Sequence, residues 1–171
     1  MRIRTVLTLS AVLAFALPAS AGVATASPAV TPQACREHSL TVAARASDRP
    51  DTVRISIRNH GRHACVVDRV PTVVFGDLDG PALPVPDGTS APFRVPAGGT
   101  AYAAVRTLDP AATELRVVDR LTVAGDPAHR GRTFGAAALG APGGIRVWEP
   151  VTTRWHRSAA SADAVLARHT G

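Results

Sequence analysis

The sequence predicts an all-β domain, a β-sandwich of about seven to eight antiparallel strands with one disulfide. Apolar and polar residues alternate at 53–58, and this period of two is typical of a half-buried strand. Short apolar runs recur along the chain and are separated by turn-forming residues, as they are in sandwiches. Two cysteines, Cys35 and Cys65, lie on either side of the alternating run. Together these observations favour a fold of packed β-sheets.

The first 26 residues have the pattern of an export signal. Two arginines form a positively charged start, and an uncharged apolar stretch follows at 6–17. That stretch is too short to span a bilayer as a helix. Small residues predict cleavage after Ala26, with Ala21 as the competing site. We therefore expect residues 1–26 to be removed and the mature chain to be secreted, extracellular and without a membrane span.

The composition of the mature chain excludes several kinds of chemistry. Removal of 26 of the 171 residues leaves 145, enough for one domain, and lowers the net charge from +6 to +4. The positive charges are scattered arginines, which is typical of a solvated face, so no nucleic-acid partner is expected. The chain contains no lysine, which excludes a Schiff base, a P-loop lysine and a Ser-Lys nucleophile pair.

The two cysteines predict a disulfide, because an even pair in an exported chain is normally bridged. Joining Cys35 to Cys65 closes a loop of 31 residues, for which chain entropy gives about 3–4 kcal/mol of stabilisation. A catalytic or metal-bound thiol at Cys65 is the alternative. The export signal favours the structural bridge, since disulfides persist outside the cytoplasm.

A domain is predicted at 35–157, between a flexible leader at 27–34 and a tail at 158–171. The leader contains two prolines and has little to bury. The tail could form a short helix at 161–169, but helices of that length are marginal without packing. We therefore expect the tail to be frayed or short-helical.

The apolar runs predict the positions of the strands, and the β-type pattern starts at Leu40. The alternating strand ends at Asn59, in a turn whose residues tolerate positive φ. An Asp-Gly pair in 77–80 predicts a hairpin turn, and 96–99 predicts a second turn. The other strands are predicted at 65–67, 73–75, 100–105, 115–118, 121–124 and 145–148.

Two segments are expected to contribute little regular structure. The segment at 82–96 is rich in proline, so any strand there is an edge strand or part of a loop. The segment at 125–144 is rich in glycine and alanine, which predicts a long loop. The strand at 145–148 is then the last one of the predicted sandwich.

The order of these motifs carries a family resemblance. A strand ends in Asn-x-Gly at 53–61, Cys65 follows, and a proline-containing strand occupies 70–75. An Asp-Gly turn at 79–80 and a Pro-x-Gly turn within 95–102 come next. This order resembles a domain-of-unknown-function family of small secreted actinobacterial proteins. The resemblance implies an immunoglobulin-like β-sandwich with a bridge between the two cysteines, and it implies no known activity.

Histidines near Cys65 form the densest group of polar side chains. His60, His63 and Cys65, with His38 near the other cysteine, could bind zinc or copper if the thiol were free. A bridged Cys65 is not a ligand, and His60 and His63 lie on a predicted exposed turn. The two histidines are therefore weak metal candidates, and no cofactor is predicted.

Two acidic residues, Asp77 and Asp79, resemble the start of a calcium loop or a glycosidase carboxylate pair. The glutamate that would close a calcium loop is missing from the sequence that follows. Nothing else in the sequence supplies a sugar cleft, so a turn is the favoured interpretation.

The two tryptophans are candidates for opposite roles. Trp155, with Arg154 and Arg157 beside it, could stack on a sugar or a peptide, although a packing role is favoured. Trp148 is the last residue of the predicted strand at 145–148 and is expected in the core.

These features predict a secreted, non-enzymatic module that binds through its surface. The sequence has no Gly-x-Ser-x-Gly nucleophile elbow, and sandwiches commonly serve as interaction scaffolds, which is an argument by analogy. The expected partner is an extracellular or cell-wall protein or polysaccharide, and the chain is expected to be a monomer. Two alternatives stay open: an extracellular hydrolase with a histidine and acids near the 59–65 turn, and a metal carrier using His60 and His63.

Overall fold

The fold consists mostly of short strands. The computed structural model of the chain describes residues 33–170, so the predicted signal at 1–26 and most of the leader at 27–34 lie outside the described residues. The described part contains twelve strands, not seven or eight, because several strands have only three residues and show no periodic pattern. The strands are β1 (Leu40–Ala46), β2 (Thr52–Asn59), β3 (Cys65–Val67), β4 (Thr72–Phe75), β5 (Leu83–Val85), β6 (Phe93–Val95), β7 (Thr100–Arg106), β8 (Arg116–Val118), β9 (Arg120–Ala124), β10 (Arg132–Gly135), β11 (Ile145–Val147) and β12 (Val151–Thr153).

The largest sheet has five strands in the order β1–β2–β7–β12–β5. Its pairs are antiparallel except β12–β5, which is parallel, so the expectation of antiparallel strands alone is wrong. Strand β5 lies at the sheet edge and contains Pro84, which has no N–H to offer a further strand. The expectation that the segment at 82–96 holds only edge strands or loops is confirmed.

The core lies between this sheet and a three-stranded sheet with the order β10–β9–β4. The alternation predicted for β2 is confirmed, because Val53, Ile55 and Ile57 are buried while the residues between them are more exposed. This is the two-faced pattern of a strand with one face on the core. The buried residues that the other sheet contributes include Val73, Phe75, Leu121 and Val123.

Two ribbons of two strands each, β3–β6 and β8–β11, complete the sheets. The segment before β1 is attached to the first ribbon, because Cys35 is bonded to Cys65 at the start of β3. The Cys35 N–H also donates to the Val66 oxygen at 2.7 Å. The predicted disulfide is confirmed.

The turn at 77–80 connects two sheets and not the two strands of a hairpin. Strand β4 pairs with β9 while β5 pairs with β12, so the chain crosses between sheets here. The hairpin prediction is wrong because an Asp-Gly turn sets local geometry and not the choice of partner strand. The second predicted turn, at 96–99, is confirmed by the hydrogen bond from the Gly99 N–H to the Pro96 oxygen.

The segment at 125–144 is not one long loop. Strand β10 within it pairs with β9, and a 3₁₀ turn at Ala136–Leu139 follows. Ala136 and Leu139 are both buried in the core. The composition conceals this structure because glycine and alanine give no clear periodicity, whereas β9 supplies the hydrogen bonds that make β10 a strand.

The chain ends in a helix, α1 (Ala159–Thr170), that packs on the outer face of the five-stranded sheet. Ala162 and Leu166 are buried against Ala104 of β7. The short helix is confirmed, and the expectation of fraying is wrong because these contacts supply the packing that a short helix needs. In the part of the chain that the structure describes, no helix is long and apolar enough to cross a membrane.

Candidate binding groove

The histidines singled out in the sequence do not form a common site with Cys65. His60 Nε2 lies 2.6 Å from Thr41 Oγ1 on the neighbouring strand, and His63 is exposed. The Cys65 sulfur is part of the disulfide. Within residues 33–170, no group of three or more His, Cys, Asp or Glu side chains is arranged to hold a metal ion. His60 and His63 are therefore not brought together with a third ligand in this part of the chain.

Asp77 and Asp79, in the turn that connects the two sheets, have different neighbours. The Asp77 carboxylate pairs with the Arg120 guanidinium of β9. Asp79 lies at the rim of a groove around Trp148. Both carboxylates are exposed, and each has its own environment instead of sharing a site.

Trp155 has the packing role that was favoured for it, whereas Trp148 is not in the core as expected. Trp155 is 0% exposed and belongs to the core, so it offers no surface for stacking. Arg154 Nη2 donates to two backbone oxygens of the 87–88 loop at 3.0 and 2.9 Å, and Arg157 is exposed. Trp148 is not a core residue, because it is only half-buried and lines an open groove.

The groove around Trp148, which we call the Trp148 groove, is an open cavity with a volume of about 580 Å³. It is formed by the crossing after β4, the start of β5, and the chain between β11 and β12. Leu83 is 65% exposed there, although burial of a large aliphatic side chain stabilises a folded protein. The main apolar side chains that line the groove are Leu78, Pro81, Leu83, Trp148, Pro150 and Val151.

Backbone hydrogen bonds fix the position of Trp148. Its N–H donates to the Thr107 oxygen at 3.0 Å, and its own oxygen accepts from the Asp109 N–H at 3.1 Å. Both bonds attach the end of β11 to the chain that follows β7. The indole therefore enters the groove from a backbone that is held on both sides.

The residue after Trp148 has a strained backbone. Glu149 has φ of +43°, a left-handed conformation that a residue with a side chain rarely adopts. Pro150 follows it, and its oxygen accepts from the Leu83 N–H at 3.0 Å, which anchors β5 at the groove. Local strain of this kind concentrates at functional sites, so it supports the groove as the candidate site.

Charged side chains of both signs surround the apolar floor of the Trp148 groove. The Arg106 guanidinium is committed to Asp109, with Nη2 at 2.6 Å from the carboxylate oxygen. Arg116, Asp79 and Glu149 also line the groove and form no ion pair within residues 33–170. The rim can therefore offer charges of either sign to a bound chain.

Sequence reasoning missed Leu83 and misplaced Trp148. The available signals were the Trp-Glu-Pro tripeptide at 148–150, directly after an apolar run, and the proline-rich segment that contains Leu83. Neither signal reveals that two segments 60 or more residues apart meet. That meeting depends on the parallel pairing of β5 with β12, in which Leu83 is opposite Val151.

A second cleft, of about 510 Å³, lies between the β1–β2 turn and the loop at 140–144. Its main charged groups bind each other, because Arg146 Nη2 lies 2.9 and 2.7 Å from the two carboxylate oxygens of Asp51. The Asp51 backbone oxygen accepts from the Thr107 N–H at 2.8 Å. These internal contacts favour a structural role for the cleft.

The groups with clearly shifted acidity lie outside the Trp148 groove. Burial lowers the pKa of His156, and the positive charges of Arg69 and Arg168 lower it further. The Gly131 N–H donates to Glu37 Oε1 at 2.7 Å, and this bond lowers the pKa of Glu37.

Comparison with known proteins identifies a family over most of the described chain. The family described as "Domain of unknown function (DUF4232)" matches residues 35–155. The match begins at the first cysteine of the disulfide and ends at the buried tryptophan, so it contains all twelve strands. The chain matches no curated protein and no solved structure.

Proposed function

The chain belongs to the DUF4232 family, and we propose that it works as an exported, non-enzymatic binding module of immunoglobulin-like architecture from an actinobacterium. Its ligand in this proposal is an apolar polypeptide segment of an extracellular partner, which binds in the Trp148 groove. The export signal pattern at 1–26 and the disulfide support an extracellular location.

The observation that carries the proposal is the exposure of large apolar side chains in one concave place. Leu83 is 65% exposed beside the half-buried indole of Trp148, and prolines extend the same surface. An exposed apolar patch rimmed by polar residues marks an interaction site more often than it marks a bare surface. A bound segment would remove this area from water, which is the largest favourable contribution to association.

The chemistry of the lining favours polypeptide over polysaccharide. Leucine, valine and proline side chains surround Trp148, so the floor of the groove offers apolar contact that suits peptide side chains, and polar groups are confined to the rim. Tryptophan and arginine are the residue types most enriched among the energetically dominant contacts of protein interfaces. Trp148 with Arg116 at the rim matches that pattern.

A displayed library of random peptides provides the test. Peptides would be selected on the mature wild-type protein alone, and their affinities for the wild type and for Trp148→Ala would be measured by calorimetry. We expect selected peptides to contain clustered apolar residues, and Trp148→Ala to weaken their binding by roughly tenfold or more.

Two leucines allow a matched control. Leu83 lines the groove and Leu115, which is 48% exposed, does not, so Leu83→Ala and Leu115→Ala remove the same group at different places. We expect only Leu83→Ala to weaken the selected peptides. Equal affinity of these peptides for the wild type and both groove variants would contradict the proposal, and so would binding of oligosaccharides that displaces them.

A further inference from the structure

A second surface, on the outer face of the five-stranded sheet, is left open by α1. The helix packs on β7, β12 and β5, and it leaves most of β1 and β2 uncovered. A concave area that encloses a volume of about 300 Å³ remains over β1, β2 and the start of β7. We call it the arginine face, and it does not overlap the Trp148 groove.

The register of the strands brings three arginines to this face. Arg45 of β1 lies directly opposite Arg54 of β2, and Thr41 lies opposite Arg58. Like charges directly opposite each other in a sheet are destabilising. Arg58 lies about 13 Å along β2 from Arg54, at roughly 3.3 Å per residue.

Only one of the three guanidinium groups has carboxylate partners. Arg54 pairs with Asp48 at 3.1 Å and with Asp163 of α1 at 2.9 Å, and these partners raise its pKa. Arg45 and Arg58 are exposed and form no ion pair within residues 33–170. Three arginines and the two carboxylates bound to Arg54 leave one net positive charge on the face, and the exposed guanidinium groups of Arg45 and Arg58 are free to contact a ligand.

Hydroxyl groups lie between the arginines. Thr41, Ser56, Thr100 and Tyr102 all line the concave area, and no acidic residue lines it. Tyr102 is paired with Ser56 in the sheet register, so both lie in the gap between Arg54 and Arg58. Hydroxyls can donate and accept hydrogen bonds, which suits a ligand that has hydroxyls of its own.

We propose that the arginine face binds an extended anionic polysaccharide, with Arg45 and Arg58 contacting its acidic groups and the hydroxyls contacting its sugar units. This inference does not depend on the proposed function of the Trp148 groove. Guanidinium groups form strong, charge-assisted hydrogen bonds with carboxylates and phosphates. The spacing of about 13 Å and the open shape fit a polymer rather than a single small anion. A single half-buried aromatic residue, Tyr102, makes the face a poor platform for the stacked bases of single-stranded nucleic acid.

The test compares a double variant in the arginine face with a matched control of the same charge. Arg45→Ala/Arg58→Ala removes the two unpaired charges, and Arg94→Ala/Arg130→Ala removes two exposed arginines that lie outside the face. The probes are carboxymethyl dextran and dextran phosphate, which carry carboxylates and phosphates on the same polysaccharide, with neutral dextran and a single-stranded oligonucleotide for comparison. Binding is measured by biolayer interferometry at several salt concentrations.

We expect the wild type and the control to bind at least one anionic polymer, with affinity that falls as salt rises. The double variant in the arginine face should bind roughly tenfold more weakly or worse, with a thermal unfolding midpoint that is not lowered, since Arg45→Ala relieves the repulsion from Arg54. Whichever polymer binds more tightly identifies carboxylate or phosphate as the preferred group. Equal losses in the two double variants, tighter binding of the oligonucleotide, or no binding of either polymer would overturn the proposal. The outcome of the peptide experiment on the Trp148 groove neither supports nor contradicts binding at the arginine face.

Discussion

A single buried amide organises the end of β2. Asn59 is 1% exposed, and its Nδ2 donates to the backbone oxygens of His63, Val95 and Pro96 at 2.9, 3.3 and 3.1 Å. Its Oδ1 accepts from the Gly61 N–H at 2.8 Å. These bonds connect β2, the turn after it and the end of β6. Asn59 is therefore a structural hub as well as a turn residue.

Replacing this amide should destabilise the whole domain. In Asn59→Ala the backbone groups that it satisfies lose their partners while still buried, so we expect a loss of at least about 2 kcal/mol of unfolding free energy. Asn59→Asp should cost more, because it places a carboxylate oxygen against carbonyl oxygens. Urea denaturation of both variants measures the effect. Thr133→Ala, in an exposed hydroxyl pair with Thr122, is the control and should stay within ~0.5 kcal/mol. An Asn59→Asp protein as stable as the wild type would contradict this account.

The tryptophans show why single residues are hard to place from sequence. Trp155 follows β12, its backbone N–H donates to the Arg69 oxygen at 3.0 Å, and its side chain lies in the core. Trp148 follows β11, but the strained turn at Glu149 directs the chain into another sheet. Both tryptophans have charged neighbours in the sequence. What separates them is the pairing of strands distant in the chain, which local pattern does not contain.

Among the elements, strands with one face on the core were predictable, and very short strands were not. Strand β2 has eight residues, and its burial alternates as the sequence indicates. Strands β5, β10 and β12 have three or four residues and are defined by their partners, so their own composition carries little signal. The arginine face could not be predicted from the sequence for a related reason. Residues 54 and 58 could be assigned to the solvent side, but their position opposite Arg45 and Thr41 required the register of β1.

Helix α1 depends on a very small apolar contact. Only Ala162 and Leu166 are buried, against Ala104 of β7, whereas Val165 is partly exposed. An isolated helix of 12 residues is marginal in water, so this contact decides whether α1 forms. Asp163 adds an ion pair to Arg54 of the sheet.

Shortening Leu166 should therefore detach the helix. We expect Leu166→Ala to cost about 2–5 kcal/mol of local stability and to raise the hydrogen-exchange rates of the α1 amides. Exchange measured by mass spectrometry would show the change in the peptide that covers 159–170. Val165→Ala is the matched control and should leave these rates close to the wild type. Equal protection of α1 in wild type and Leu166→Ala would show that the helix is held by other contacts.

At the scale of the whole molecule, the two candidate surfaces lie at different places on one rigid support. The arginine face spans β1, β2 and β7, and the Trp148 groove lies beside β5 at the opposite edge of the same sheet. One core cluster packs against both sheets. A ligand at one surface therefore need not disturb the other, and a module of this kind could hold a protein partner next to an anionic polymer.

The disulfide should stabilise this support as a unit. Cys35 and Cys65 enclose β1 and β2, so the bond restrains two of the five strands in the largest sheet when the chain unfolds. Chain entropy for a loop of about 30 residues predicts a loss of about 3–4 kcal/mol of unfolding free energy in Cys35→Ser/Cys65→Ser. Because one buried cluster joins the five-stranded and three-stranded sheets, that loss should appear as a lower midpoint of a single unfolding transition of these sheets.

Chemical denaturation with and without reductant measures the contribution of the bond. The wild type should fall to the stability of the double serine variant when reduced, while the variant itself should not respond to reductant. Thiol labelling of freshly secreted wild type, native or unfolded, should find no free sulfhydryl. Two reactive thiols in that sample would mean that the bond does not form in the exported protein. Equal stability of oxidised wild type and variant would contradict the predicted loss, because a bond that restrains the unfolded chain must raise the free energy of unfolding unless strain in the folded state offsets it.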